Sequence, residues 1–286
     1  MKYLVTGSSG FIGTHLCEKL IAQHHEIIFC DLKDQSGDIR ALDLGIDNFG
    51  ELDGIFHLAA IASVQHTIDN PESTFETNVV GTRNVFSLAK VKDIPVVYAS
   101  SAAVYGNNNN LPLSEAETSA PLSPYAEHKL QNEIDAHKAG IKSFGVRFFN
   151  IYGPGQDPSS PYSGVISIFH DRLKGERPIT IYGSGTHSRD FVYVGDAVQA
   201  LLLGMKHAGR EAPVANVCTG NENTLLELAH TLGAALNITP QIHFEAERAG
   251  DIVHSCGNPS KLEKLIGFRP QTVLSTGIQA LVKAQT

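Results

Sequence analysis

Three glycines set three residues apart, in Thr6-Gly7-Ser8-Ser9-Gly10-Phe11-Ile12-Gly13, stand between an apolar β-rich run at residues 3–6 and a helix-patterned stretch at 11–23. A strand that turns directly into a helix needs residues without Cβ, because the chain turns tightly and the helix must approach the strand end closely. The same junction leaves the first N–H groups of the helix unpaired, with a partial positive charge, which suits a pyrophosphate. A purely structural turn also favours glycine, so the spacing alone leaves both readings open.

The order of the following segments narrows the fold. β-rich runs at 26–30, 54–58, 96–99 and 143–148 alternate with helical patterns at 71–90 and 124–138. That alternation predicts an α/β protein with a doubly wound parallel Rossmann sheet. It stops at Tyr152-Gly153-Pro154-Gly155-Gln156-Asp157-Pro158. Beyond lie strand-like runs at 191–194 and 214–217 and helical patterns near 196–206, 225–236 and 261–265. We expect a cofactor domain over residues 1–150 and a smaller, partly interwoven substrate lobe over 151–286, with an approximate boundary and strands that partly return to the first domain. The Asn107–Asn110 tetrad reads as a solvated loop tip.

Composition excludes several classes. The chain has 286 residues, 42% of them hydrophobic, enough to bury a core without staples. Twenty-two Lys plus Arg against 30 Asp plus Glu give a net charge of −8, which argues against nucleic acid as a partner. Cys17, Cys30, Cys218 and Cys256 are widely spaced, and neither they nor the 13 histidines form a metal-ligand pattern. We expect no metal and a reducing, cytoplasmic setting. No apolar run precedes the glycines in the manner of a signal peptide, and none approaches the roughly 20 residues of a membrane span.

Asp31 follows the apolar run 27–30, about 20 residues beyond the glycine turn, where a carboxylate accepts ribose hydroxyl hydrogens. It would repel a 2′-phosphate, favouring NAD over NADP, although Lys33 partly offsets that repulsion. Asp is also a common turn residue. Further along, Ser100 and Ser101 end the run that starts at Val96, and Tyr125 and Lys129 lie at i and i+4 of a helical pattern, hence on one face. A phenol with a pKa near 10 needs a neighbouring cation to act as a base at neutral pH.

Glycine turn, ribose carboxylate, strand-end serine and Tyr-x-x-x-Lys occur together in the order of the extended short-chain dehydrogenase/reductase family. The chain resembles that family, the NAD-dependent epimerases and dehydratases, over nearly its whole length. Within it the chain is similar to nucleotide-sugar epimerases of the UDP-glucose 4-epimerase type. The resemblance also rests on His57-Leu58-Ala59-Ala60, Asn78-Val79-Val80-Gly81-Thr82, Ser101-Ala102-Ala103-Val104-Tyr105-Gly106, Arg147-Phe148-Phe149-Asn150-Ile151-Tyr152-Gly153-Pro154 and Arg189-Asp190-Phe191-Val192-Tyr193-Val194.

The resemblance implies that Gly7, Gly10, Phe11, Ile12 and Gly13 hold the NAD pyrophosphate region, Asp31 the adenosine ribose, and Asp43 with Leu44 the adenine edge, with Leu32 also among the cofactor-binding residues. Leu58, Ala59, Ala60, Asn78 and Ser100 would line the rest of the cleft, with Tyr125 and Lys129 reaching the cofactor. Tyr125 would take the proton of the sugar 4-hydroxyl, Lys129 would support the phenolate, and Ser101 would hydrogen-bond the same oxygen. Asn150, Arg189, Arg248 and Asp251 would bind the nucleotide diphosphate, and Val165, Thr180 and Tyr182 would lie near the base. Alternatives to the structural kind are an Arg189 paired at the surface with Asp190 and alanines that merely pack at the sheet end.

The implied reaction is 4-epimerisation of a UDP-sugar through tightly bound NAD. A 4,6-dehydratase is disfavoured, because Ala102 and Ala103 stand where that group carries an acidic pair. Ser255, where hexose-restricted epimerases tend to carry a bulky residue, predicts that UDP-N-acetylglucosamine is accepted as well as UDP-glucose. Ala62 stands where those enzymes often place a lysine, which leaves the sugar open. UDP-glucuronate 4-epimerase or decarboxylase, keto-sugar reductase and a non-catalytic NAD sensor remain alternatives. The resemblance further implies a homodimer through the helices at 71–90 and 124–138.

Overall fold

The computed structural model describes residues 1–41, 49–160, 164–247 and 252–284. Five strands, β1 (Lys2–Thr6), β2 (Glu26–Cys30), β3 (Gly54–His57), β4 (Val96–Ser101) and β5 (Ser143–Phe148), pair in parallel in the order β5-β4-β3-β1-β2. β1 touches both β2 and β3, so the sheet grows outward in both directions from it. The crevice beyond the carboxyl ends of β1 and β3 is therefore the switch point, where ligands bind in such folds.

Every residue of β3 and β5 is buried, as a parallel sheet covered on both faces requires. Side chains alternate across the sheet. Tyr3, Val5, Phe56 and Val97 face a core completed by Leu16 and Leu20 of helix α1 (Phe11–Ala22), while Leu4, Ile55, Val96 and Tyr98 face one that includes Val85, Phe86 and Leu88.

The helical pattern at 71–90 resolves into more than one piece. A short α2 (Val64–Asp69) precedes α3 (Pro71–Phe75), a π-helical turn at Glu76–Val80, and α4 (Gly81–Lys92). The interruption coincides with Asn78, whose side chain accepts from Ile61 N at 2.7 Å and donates to Ile61 O at 2.9 Å. These bonds tie the turn to the strand-end loop, a local demand that apolar periodicity does not register. Helix α5 (Pro124–Ala139) begins on firmer signals: Ser123 accepts from Ala126 N, Pro124 occupies the first turn, and Gly140 ends it with φ 62°.

After residue 150 the chain builds β6 (Asn150–Tyr152), α6 (Val165–Lys174), β7 (Ile179–Tyr182), β8 (Ser188–Arg189), β9 (Phe191–Tyr193) and α7 (Val194–Lys206). β10 (Val214–Val217) then returns to the main sheet and pairs in parallel with β5 as its edge strand. The remainder comprises β11 (Asn223–Thr224), α8 (Leu225–Leu236), β12 (Ile242–Glu245), α9 (Ser260–Ile266) and α10 (Leu274–Ala284). Here the strands form two-stranded patches, β6 with β9, β7 with β12 and β8 with β11, over a separate core that includes Ile166, Phe169, Ile179, Leu228 and Ile278. Among the described residues no helix is long and apolar enough to cross a membrane.

Candidate active site

A cleft of about 1310 Å³ opens at the carboxyl ends of β1 and β3. Gly7 sits at φ +71°, and a Cβ there would lie 2.6 Å from Ala59 N. A Cβ on Gly13 would collide with the Gly7 carbonyl. The first glycine is thus demanded by its left-handed backbone and the third by the approach of α1 to the turn. Gly10 caps α1 with no side-chain hydrogen bond, and Gly10, Phe11, Ile12 and Gly13 line the cleft. First-turn N–H groups are left without helical acceptors beside it. The Ser8 hydroxyl is buried without a partner.

Asp31 lines the same cleft, its Oδ2 accepting from Ser9 N at 3.0 Å and its Oδ1 from Lys33 N at 2.8 Å. Both oxygens keep further lone pairs. Leu32, Leu58, Ala59 and Ala60 also line it. A glycine cradle that any Cβ would fill, first-turn N–H donors and an anchored carboxylate fit a dinucleotide with a free 2′-hydroxyl. Asn78 is buried and holds the Ile61 backbone at the cleft wall. Asp43 and Leu44 lie outside the described residues.

The chemical groups gather where β4 meets α5. Ser123 and Pro124 fix the start of α5 and so place Tyr125 in its first turn and Lys129 one turn on. Lys129 Nζ donates to Ala99 O at 2.8 Å and lies 5.8 Å from the Tyr125 ring centroid. Burial lowers the Lys129 ammonium to about 8, so it remains largely charged at neutral pH. Burial raises the Tyr125 phenol, and a hydrogen bond from Ser101 acts in the opposite direction. Ser101 also accepts from Ala103 N at 3.2 Å, at the head of the 3-10 turn Ala102–Tyr105. Burial, helped by the Lys129 charge, lowers His57 to about 3, leaving a neutral ring bridged between Thr6 and Thr82. The Ser100 hydroxyl points elsewhere, donating to Glu133 Oε1.

Across from the glycine turn the cleft is lined by Phe149, Ile151, Pro154, Gly155, Gln156 and Asp157, whereas the described residues expected at the substrate lie outside that lining. Asn150 opens β6, its N–H donating to Asp190 O at 3.1 Å. Val165 begins α6, and Thr180 and Tyr182 share one half-buried face of β7 while Ile179 and Ile181 point inward. Arg189 Nη1 donates to Ser188 O at 2.8 Å, and Ser255 N donates to Ser188 O at 3.2 Å, which brings Ser255 beside β8. Arg248 and Asp251 lie outside the described residues.

Asp190 turns inward. Fully buried, it accepts from Thr219 N, Thr219 Oγ1, Gly220 N and Gly257 N at 2.7–3.2 Å. It is not the surface ion partner that its place beside Arg189 suggests; its donors come from segments remote in sequence, so no local pattern reveals them. Glu133 carries no mark in the sequence, and Arg147 enters there only as part of a family motif, although a guanidinium in a strand whose every residue is buried is itself a signal.

The model of the NAD dependent epimerase/dehydratase family matches residues 3–218. A protein named putative UDP-glucose 4-epimerase from Methanocaldococcus jannaschii is 34% identical over 98% of this chain and 96% of its own length. The UDP-N-acetylglucosamine 4-epimerase of Methanobrevibacter ruminantium M1, solved with UDP-N-acetylmuramic acid, superposes with a TM-score of 0.93 at 31% identity, covering 99% of this chain and 97% of that one. MoeE5, solved with UDP-glucuronic acid and NAD, superposes with a TM-score of 0.89 at 29% identity over 100% and 99% of the two chains.

Proposed function

Because the chain belongs to the NAD dependent epimerase/dehydratase family, we propose that it inverts C4 of UDP-sugars with a resident NAD, and that N-acetylated hexoses are among its substrates. The observation that carries the reading is the convergence of Ser101, Tyr125 and Lys129 at one end of the sheet, beside a cleft whose glycines and Asp31 fit a dinucleotide.

NAD, when bound, supplies the acceptor and later the donor of the C4 hydrogen. The chain supplies the rest. Gly7 and Gly13 keep the backbone close enough to cradle a pyrophosphate, and Asp31 receives the ribose hydroxyls. Tyr125 takes the proton of the 4-hydroxyl, a role worth about 10² to 10⁴ in rate for a well-placed base. The Lys129 ammonium lowers the energy of the phenolate, and Ser101 donates to the same oxygen as it becomes a carbonyl. When the keto sugar has turned its other face, Tyr125 returns the proton. Such a cycle leaves the cofactor pool unchanged. Ala102 and Ala103 carry no group to move C5 or C6 protons, so elimination of water is disfavoured.

In the outer lobe, Asn150, Arg189, Arg248 and Asp251 are assigned to the diphosphate and its ribose, with Val165, Thr180 and Tyr182 near the base. A guanidinium suits a diphosphate through charge-assisted, bidentate bonds. Ser255 leaves space at the sugar for a 2-acetamido group. The exposed Phe75 of α3 and the exposed Ile134 of α5 suit a homodimer through the helices at 71–90 and 124–138. Four free, buried cysteines suit a reducing cytoplasm.

The test is to incubate purified protein with UDP-N-acetylglucosamine, without added NAD, and follow the anomeric and H4 proton resonances. Appearance of UDP-N-acetylgalactosamine up to an equilibrium mixture supports resident NAD, C4 inversion and the open sugar site together. Conversion of UDP-glucose or UDP-glucuronate alone removes the N-acetyl assignment. No conversion of any of the three overturns the epimerase reading.

A further inference from the structure

Ser101 ends β4 and caps the turn that follows, and the residues on both sides of it are fastened to one buried ion pair. On the near side, the Ser100 hydroxyl donates to Glu133 Oε1 at 2.5 Å. On the far side, Tyr105, the last residue of the turn that Ser101 starts, lies under the Arg147 guanidinium, 4.8 Å from ring centroid to Cζ. Arg147 and Glu133 are joined by two parallel bonds of 2.9 and 2.7 Å, with only 7% and 8% of their side chains exposed.

Sheet register explains why these groups meet. Ser100, Arg147 and Asn216 are directly paired neighbours across β4, β5 and β10, forming a polar row through an apolar sheet. Tyr105 spans that row, stacking on Arg147 and donating to Asn216 Oδ1 at 2.7 Å. Glu133 reaches the row from α5, one turn beyond Lys129 and two beyond Tyr125. Lys129 itself bonds Ala99, two residues before Ser101. The helix that carries the phenol and the ammonium is thereby tied to the Ala99 carbonyl and the Ser100 hydroxyl before the serine and, through Arg147, to the Tyr105 ring after it.

A buried ion pair is a poor source of net stability, since desolvation offsets the Coulomb gain and an apolar pair of equal volume does as well. Its distinctive property is directional: a planar guanidinium and a planar carboxylate meet in one geometry. We infer that Glu133 and Arg147 are positioning residues for the proposed reaction, holding the Ser101 hydroxyl against Tyr125 and Lys129 by gripping Ser100 and Tyr105. The inference rests on the assignment of Ser101 and Tyr125 as the acting groups. A displacement of about 1 Å at such a site costs about 10²-fold in rate.

Ser100→Ala removes one grip and leaves the ion pair intact. It should lower kcat at least ten-fold with KM within two-fold, shift the limb of kcat/KM that reports the base to higher pH as the Ser101 hydrogen bond weakens, and keep the melting temperature. Ser100→Thr, which retains the hydroxyl, should recover most of the lost kcat, and Glu133→Gln should resemble Ser100→Ala if it folds. The substrate-free readout is the ¹³Cζ resonance of Tyr125 in tyrosine-labelled protein, assigned with Tyr125→Phe. Ser100→Ala should move it in the same direction as Ser101→Ala. A Tyr125 resonance that stays in place in Ser100→Ala, or does not respond to Ser101→Ala, overturns the positioning role. So does unchanged kcat in Ser100→Ala of an active enzyme. A protein inert toward every UDP-sugar sinks the proposed reaction, and the resonance then decides the positioning by itself.

Discussion

Around the glycine turn, the groups that would receive a cofactor come from short stretches: Gly7 to Gly13 with Asp31 at the next strand end. Around Asp190, the groups come from residues 190, 219, 220 and 257, drawn together only when β8, β9, β10 and the segment after β12 have all formed. The two carboxylates make the contrast concrete. Asp31 stands at a cleft edge with two backbone donors and lone pairs left for a ligand, whereas Asp190 is consumed by its own chain. One carboxylate keeps acceptor capacity toward a cleft, and the other gives all it has to backbone and hydroxyl donors of its own chain.

The largest effect should leave both halves standing. Tyr125→Phe should cut turnover by about 10² to 10⁴ while the melting temperature and the bound NAD stay as in the wild type, measured by sugar NMR and by cofactor release. A small loss would separate the phenol from the chemistry.

The carboxylates break the comparison directly. Asp190→Ala strands the buried N–H groups of Thr219 and Gly257, the half-buried one of Gly220 and the Thr219 hydroxyl, and should cost on the order of 3 kcal/mol or more in urea unfolding. Asp31→Ala should cost about 1 kcal/mol or less yet release NAD on dilution. Equal destabilisation by the two would erase the distinction between a ligand-facing and a lobe-forming acid.

Lys129 sharpens it, because it is a buried group whose cost is tied to function. Its ammonium is lowered from 10.5 to about 8 in the folded chain. Between pH 8 and 10.5 the unfolded chain binds the extra proton, so stability contributed by this group rises with pH across that window, by up to about 3 kcal/mol, and is flat below it. The difference in unfolding free energy between wild type and Lys129→Met should follow that course, with the variant the more stable at neutral pH and inactive. The smallest effect belongs to Ser255→Tyr, expected to suppress turnover of UDP-N-acetylglucosamine relative to UDP-glucose by about ten-fold or more. Equal loss on both sugars would contradict a gate at this position.

The same contrast accounts for what could be read without a structure. The strands at 26–30 and 143–148 have the bounds the sequence indicates, because β-favouring apolar residues cluster there: Ile27-Ile28-Phe29 in the edge strand β2, and Phe144, Val146 and Phe148 in the fully buried β5. The start of α5, hence the placement of Tyr125 and Lys129, follows from Ser123-Pro124. By contrast α6, β7, β12 and α10 lie outside the elements the sequence indicates: α6 starts from Gly164 without a side-chain cap, and the register that defines β7 is set by β12, some sixty positions away. The π-helical turn around Asn78 and Ser100 facing Glu133 rather than the cleft go with partners at 61 and 133, and a linear pattern carries no trace of them.

The return of β10 to the sheet bears on how the protein is made. A nascent chain that has emerged as far as β5 exposes the whole hydrogen-bonding edge of a fully buried strand, together with the place where Asn216 will meet Tyr105. That edge stays open until translation has passed through β6, α6, β7, β8, β9 and α7. The sheet can therefore close on β10 only after the intervening elements have been made, and a ribosome stalled between residues 150 and 213 holds a sheet with an unprotected border, an edge that suits chaperone binding.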